Sequence, residues 1–243
     1  MASERRFYLK ASLLVYLGYA LLFEAVGYYA VTLPTRDLSL PLDRALPVIS
    51  AFIWPYLLCY VFPFLPLAVV SDWHRFNRAV LALIMAIGAS FVVYLALPVA
   101  FPHPELGPGF SDQVLEFQYR TDFQPGANKL PSLHVAYAWL VWLACLRQGL
   151  GRRRESAILL AALVISVSTL FVRQHIIVDV LAGTVLAFGA WGLAGRIYPR
   201  FSGPADGPRA TFRRMIRIAG PSLALFTALL ILAFDLHFRR ILP

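Results

Sequence analysis

Apolar residues in this chain come in long runs, near 11–32, 47–70, 79–100, 131–148, 155–172, 176–198 and 218–236, separated by stretches in which the arginines gather. A bilayer core of roughly 30 Å needs about 20 helical residues, and the runs supply that length repeatedly. They are continuous and lack the period-two alternation of lipid-facing barrel strands, so their backbone groups must be satisfied inside helices. The pattern predicts an all-α integral membrane protein with each run a helix. The first run follows "MASERR". Its length, with no small-residue cleavage site to close it, reads as a retained helix rather than a signal peptide.

Composition agrees: 59% of residues are hydrophobic, 14% are charged and the mean hydropathy is +0.68. These values exclude an ordinary soluble protein. The net charge of +9 would suggest nucleic acid in a soluble chain, but here it lies between the runs as a topology signal, so no nucleic-acid partner is expected. Cys59 and Cys145 sit inside apolar runs without metal-like spacing and read as buried thiols. The whole chain, 1–243, reads as one membrane domain, with "FSGPADGPRA" at 201–210 as a flexible linker to the last helix.

The basic residues orient the bundle. A cytoplasmic N-terminus puts Arg5, Arg6, Arg75, Arg78, the cluster "RQGLGRRR" and the arginines of 196–217 inside. The opposite side receives Arg36, Arg44, Arg120, Lys129, Arg173 and, after the last run, Arg239 and Arg240.

Two polar signals fall on that second side. The long connection 101–130 leads into "KLPSLH", and the connection between the fifth and sixth runs contains "VRQHIIVD". Loops as long as the first, without structure of their own, are often functional. His175 and Asp179 are four residues apart, a spacing that puts them on one helix face with the carboxylate accepting an imidazole N–H. The tautomer is then fixed and the other ring nitrogen is free as nucleophile or base. His134 supplies a second proton-transfer group. The first-turn N–H groups after Pro131, with the Ser132 hydroxyl, suit an anion at a helix N-terminus. Phosphate fits this set.

"PSLH" at 131–134 followed by "HIIVD" at 175–179 resembles the second and third signature motifs of the type 2 phosphatidic acid phosphatase (PAP2) superfamily. The resemblance covers about 45–195. The wording "TLFVRQHIIVDVLAG" looks closest to the branch containing inositol phosphorylceramide synthases and many bacterial relatives. It implies a six-helix transmembrane bundle, to which the last run adds a C-terminal helix, and a phosphohistidine mechanism with no metal and no cofactor. It also implies a lipid phosphate or phospholipid substrate, and the arrangement of basic residues puts the meeting of the two histidines at the non-cytoplasmic face. By the same resemblance His175 is the nucleophile, Asp179 its orienting carboxylate and His134 the acid that protonates the leaving group.

Two family features are missing. The arginine expected six residues before the nucleophile is replaced by Thr169, and the first motif, a lysine with Arg-Pro seven residues on, has no clean counterpart near "LPVAFPHPELG". Lys129 and Arg173 are placed to supply the missing charge around Ser132. A phosphate monoester approaches two negative charges and a diester carries one, so fewer cations favour a diester. Hydrolysis and transfer of a phospho-headgroup both remain open, as does a catalytically silent lipid-binding or scaffold role. Glu24 reads as a bundle-interior residue and His74 as a cytoplasmic loop residue, while His103 and His237 have no partner in the signatures. Oligomeric state is not legible.

Overall fold

The computed structural model describes residues 2–123, 126–203 and 205–241, the side chains of residues 2 and 238–241 excepted. All seven apolar runs are helical. In chain order the helices are α1 (Ala2–Ala30), α2 (Pro41–Ala45), α3 (Ile53–Leu57), α4 (Leu65–Val69), α5 (Trp73–Ala96), α6 (Phe110–Thr121), α7 (Leu133–Cys145), α8 (Arg152–Phe171), α9 (Ile177–Ile197) and α10 (Pro208–Ile241). Among the described residues six helical stretches are long and apolar enough to cross a membrane, and α7 is a shorter apolar helix. The chain is an all-α membrane bundle.

Four details depart from the sequence pattern, each for a local reason. The second run is a broken helix, because Pro55, Pro63 and Pro66 remove amide donors and the ladder resets through 3₁₀ turns at Ser50–Phe52, Leu58–Tyr60 and Phe62–Phe64. The connection 101–130 is not structureless: α6 buries Leu115, Gln118 and Tyr119 on one face and exposes Phe110 and Phe117. α7 begins two residues after Pro131 and has 13 residues, which at about 1.5 Å each is too short to cross the core unaided. It is instead a central helix, with ten of its residues buried. The proposed linker is short and tied, since the Gly203 amide donates to Asp206 at 2.8 Å and Asp206 pairs with Arg214 at 2.7 Å before α10 opens on Pro208.

α7 packs against α8, α9 and α5, and α5 also carries α9, α10 and α1. Over half of the most apolar window of α5 is buried against 6% of that of α1, so α5 and α7 form the core and α1 the lipid-facing rim. Hydroxyls inside the bundle return to their own helix carbonyls, Ser90 to Ala86 at 2.9 Å and Ser166 to Ala162 at 2.7 Å, which leaves no donor stranded at those places.

The two ends of the bundle differ. At one, Arg5 reaches the Ala68 carbonyl, Arg75 those of Leu143 and Ala144, and His74, in the first turn of α5 rather than in a loop, meets Tyr198 at 2.8 Å. At the other, the loops after α1, α5, α6 and α8 interlock: Arg36 and Ala100 exchange backbone hydrogen bonds with each other's strand-like segments, and the Ile177 amide donates to buried Asp43 at 2.8 Å. Residues 126–134 and 173–179 lie at this second end. The side chains of Arg239 and Arg240, assigned to the same side from the sequence, lie outside the described residues.

Candidate active site

The site is built where α7 and α9 start side by side. Ser132 caps α7, its hydroxyl accepting the Val135 amide at 3.3 Å and its carbonyl the Ala136 amide at 3.0 Å. The Ser132 amide donates to the Asp179 carbonyl at 3.1 Å, and a Cβ on Gly183, one turn further along α9, would collide with the Ser132 carbonyl oxygen. A glycine is thus what lets the two helix starts approach.

His175 does not sit on α9. It precedes the N-cap, Ile176, and Asp179 occupies the third helical position. Asp179 Oδ2 reaches back over the helix start and accepts both the Ile176 amide at 3.1 Å and His175 Nδ1 at 3.2 Å. The four-residue spacing therefore works as a helix cap rather than as a helix face. The Thr169 carbonyl holds the turn from below, accepting the Gln174 and His175 amides at 3.0 and 3.1 Å, while the Thr169 hydroxyl folds back onto Ser166.

His134 Nδ1 lies 3.2 Å from His175 Nε2, and His134 Nε2 lies 3.4 Å from the hydroxyl of fully buried Tyr56. With both rings neutral, the roles along this line follow from its carboxylate end. Asp179 can only accept, so His175 Nδ1 carries the hydrogen and Nε2 the lone pair. His134 Nδ1 then donates to that lone pair, and Tyr56 donates to His134 Nε2. The line of groups is Tyr56, His134, His175, Asp179.

Both histidines open onto a cavity of about 240 Å³, with walls from α1 (Tyr16, Tyr19, Glu24), α6 (Gln118) and the loop residues Asp122 and Lys129. Lys129 is buried, with Nζ 3.2 Å from the Gln174 carbonyl and 3.2 Å from His103 Nε2. Burial pulls the Lys129 ammonium below the usual lysine range, and burial together with the Lys129 charge pushes His103 down to about 3. The neutral His103 ring stacks on Tyr119 at 3.8 Å, and the Tyr119 hydroxyl donates to the Val172 carbonyl at 2.7 Å.

Of the residues singled out from the sequence, His134, His175, Asp179 and Lys129 come together. Ser132 is adjacent but buried and committed as a cap. Arg173 turns away: in a left-handed conformation (φ 52°) it donates to the Leu46 carbonyl at 2.7 Å and lies over the Phe101 ring. Sequence reasoning missed Tyr56, which looks like any aromatic in an apolar run, and the pairing of His103 with Lys129. It also set the catalytic segment at 45–195, although α1 walls the cavity. Among the described residues no group of three or more His, Cys, Asp or Glu is arranged to hold a metal ion.

A family model described as the PAP2 superfamily matches residues 20–193, from the middle of α1 to the last turns of α9. Comparison with curated proteins gives no match, and comparison with solved structures gives none.

Proposed function

The chain belongs to the PAP2 superfamily, and from that premise we propose that it is a membrane enzyme that cleaves a lipid phosphate ester through a phosphorylated His175. The superfamily supports a phosphatase-type lipid phosphoester enzyme in general. The observation that carries the finer reading is the line Asp179, His175, His134 at one cavity wall.

In the first step His134, which takes up a second ring proton as the anionic phosphate enters beside it, donates that proton to the departing alkoxide while His175 Nε2 attacks phosphorus and the ester P–O bond breaks. Asp179 retains the Nδ1 proton's hydrogen bond and stabilises the ring as it gains positive charge. In the second step His134, again a neutral imidazole, takes a proton from water or a lipid hydroxyl, the new P–O bond forms and the N–P bond breaks. Because His134 rests on the nucleophilic nitrogen, the phosphoryl group must part the two rings to react. Lys129 is the cation available to the phosphate, and Ser132 and Asp179 hold the helix starts in register.

One buried cation beside the carboxylates of Glu24 and Asp122 suits a singly charged diester better than a dianionic monoester. That favours cleavage or transfer of a phospho-headgroup, in keeping with the resemblance of the "HIIVD" segment to the inositol phosphorylceramide synthase branch. The crowding of Arg5, Arg6, Arg75, Arg78 and the 152–154 arginines at the other end of the bundle supports a site on the non-cytoplasmic face with the N-terminus in the cytoplasm.

The test is chemical trapping. Wild-type protein given a labelled aryl phosphate and quenched in base should carry acid-labile, base-stable label on His175, and His175→Ala should carry none and turn nothing over. A well-folded His175→Ala protein with near-normal turnover would sink the mechanism.

A further inference from the structure

One carboxylate of the cavity has no place in the steps above. Glu24 lies in the membrane-spanning helix α1, faces the same cavity as His134 and His175, and makes no hydrogen bond or ion pair among the described residues. A lone carboxylate in a membrane helix is costly unless something neutralises it. Asp122, which also lines the cavity, adds a second negative charge, with one oxygen accepting from Gln118 at 3.2 Å. Asp179 is already committed to His175, so the open charges are two carboxylates against the single ammonium of Lys129, before any phosphate enters.

From this imbalance we infer that Glu24 recognises an ammonium group, and that the enzyme's donor is a zwitterionic, amine-bearing phosphodiester lipid. Bound with its phosphate toward Lys129 and the histidines, such a headgroup brings one negative and one positive charge, and its cation is the partner that Glu24 lacks. A polyol headgroup would hydrogen-bond to the carboxylates but leave their charge standing, and a phosphate monoester would add to it. Glu24 also explains why α1, a rim helix by burial, belongs to the site: it carries the selectivity while α7 and α9 carry the chemistry. The inference rests on His175 being the reacting group, since that fixes which end of the lipid lies in the cavity.

The experiment uses His175→Ala protein in detergent, which keeps the lipid intact, and two probes that differ at the headgroup nitrogen: phosphatidylethanolamine, whose amine is charged, and its N-acetyl derivative, whose amide is not. The amine form should bind about ten-fold more tightly, the factor one partly desolvated ion pair supplies. Adding Glu24→Gln should erase that preference, and Glu24→Asp should keep part of it. Equal affinity for the two probes, or a preference that survives Glu24→Gln, overturns the inference. The trapping experiment on His175 reads the underlying mechanism separately. Label on His175 without an amine preference removes only this inference, whereas an amine preference without label leaves the Glu24 subsite and removes the phosphohistidine reading.

Discussion

Lys129 offers the sharpest test of how the site handles phosphate. An ammonium has three donors, and the structure assigns two of them, to the Gln174 carbonyl and to His103 Nε2, each at 3.2 Å. One donor and the positive charge remain for the cavity. A single charge-assisted hydrogen bond contributes about 1.5–3 kcal/mol, so Lys129→Met should lower kcat/KM by roughly 10- to 150-fold. The loss should be larger for an aryl phosphate monoester than for its methyl diester, because the monoester leaves more charge uncompensated. The same substitution strands the Gln174 carbonyl and the His103 ring nitrogen, at about 1–3 kcal/mol each, so the melting temperature in detergent must be measured alongside the kinetics. Lys129→Met that folds, melts only somewhat earlier and keeps wild-type kcat/KM on both substrates would refute the assignment and leave phosphate to the backbone N–H groups and the histidines.

Other outcomes follow from the surrounding geometry. His103, folded, takes a proton only near 3, against 6.5 unfolded, so between those values the unfolded chain binds a proton that the folded one refuses. Stability should therefore fall as pH drops from 6.5 toward 3, and His103→Gln should flatten that slope in thermal melts across the range. Arg173→Gln should leave the ratio of monoester to diester rates unchanged and cost about 1–3 kcal/mol of stability, because the guanidinium serves the Leu46 carbonyl; a selective loss on monoesters would place Arg173 in the phosphate site. For topology, single cysteines at exposed Phe110 and Arg153, in a background without Cys59 and Cys145, should label with an impermeant thiol reagent from outside and only after permeabilisation, respectively. The reverse pattern in intact cells would put the chemistry in the cytoplasm.

What could be read in advance divides along physical lines. The apolar helical runs were legible, six of them long enough to cross a membrane among the described residues, because a bilayer demands apolar length and that demand is written residue by residue. α6 was not, since a 12-residue helix that alternates Leu115, Gln118 and Tyr119 inward with Glu116 and Arg120 outward has no run to show. His134, His175 and Asp179 were legible as a spaced set, yet the spacing suggested a helix face where the chain uses a helix cap. Arg173 was misjudged as a neighbour of phosphate because sequence proximity says nothing about direction, and a left-handed turn sends the side chain the other way. Glu24 was read as a satisfied interior residue, whereas its side chain is exposed at a cavity that α1 shares with Tyr94 of α5, with α6 and with the loop residues that carry Lys129.

Gly183 carries a consequence for descent. No side chain of any kind fits between α9 and the Ser132 carbonyl, and the hydrogen bond from the Ser132 amide to the Asp179 carbonyl depends on that closeness. The residue touches nothing that reacts, yet losing it would shift one histidine against the other. As lineages diverge, the lipid-facing positions of α1 and α10 can drift among apolar residues, and even the cavity's selectivity can be retuned at position 24. Position 183 has no such freedom. In relatives that keep the two-histidine chemistry, glycine there should persist as stubbornly as the histidines themselves, and a descendant that has replaced it should prove to have given up catalysis first.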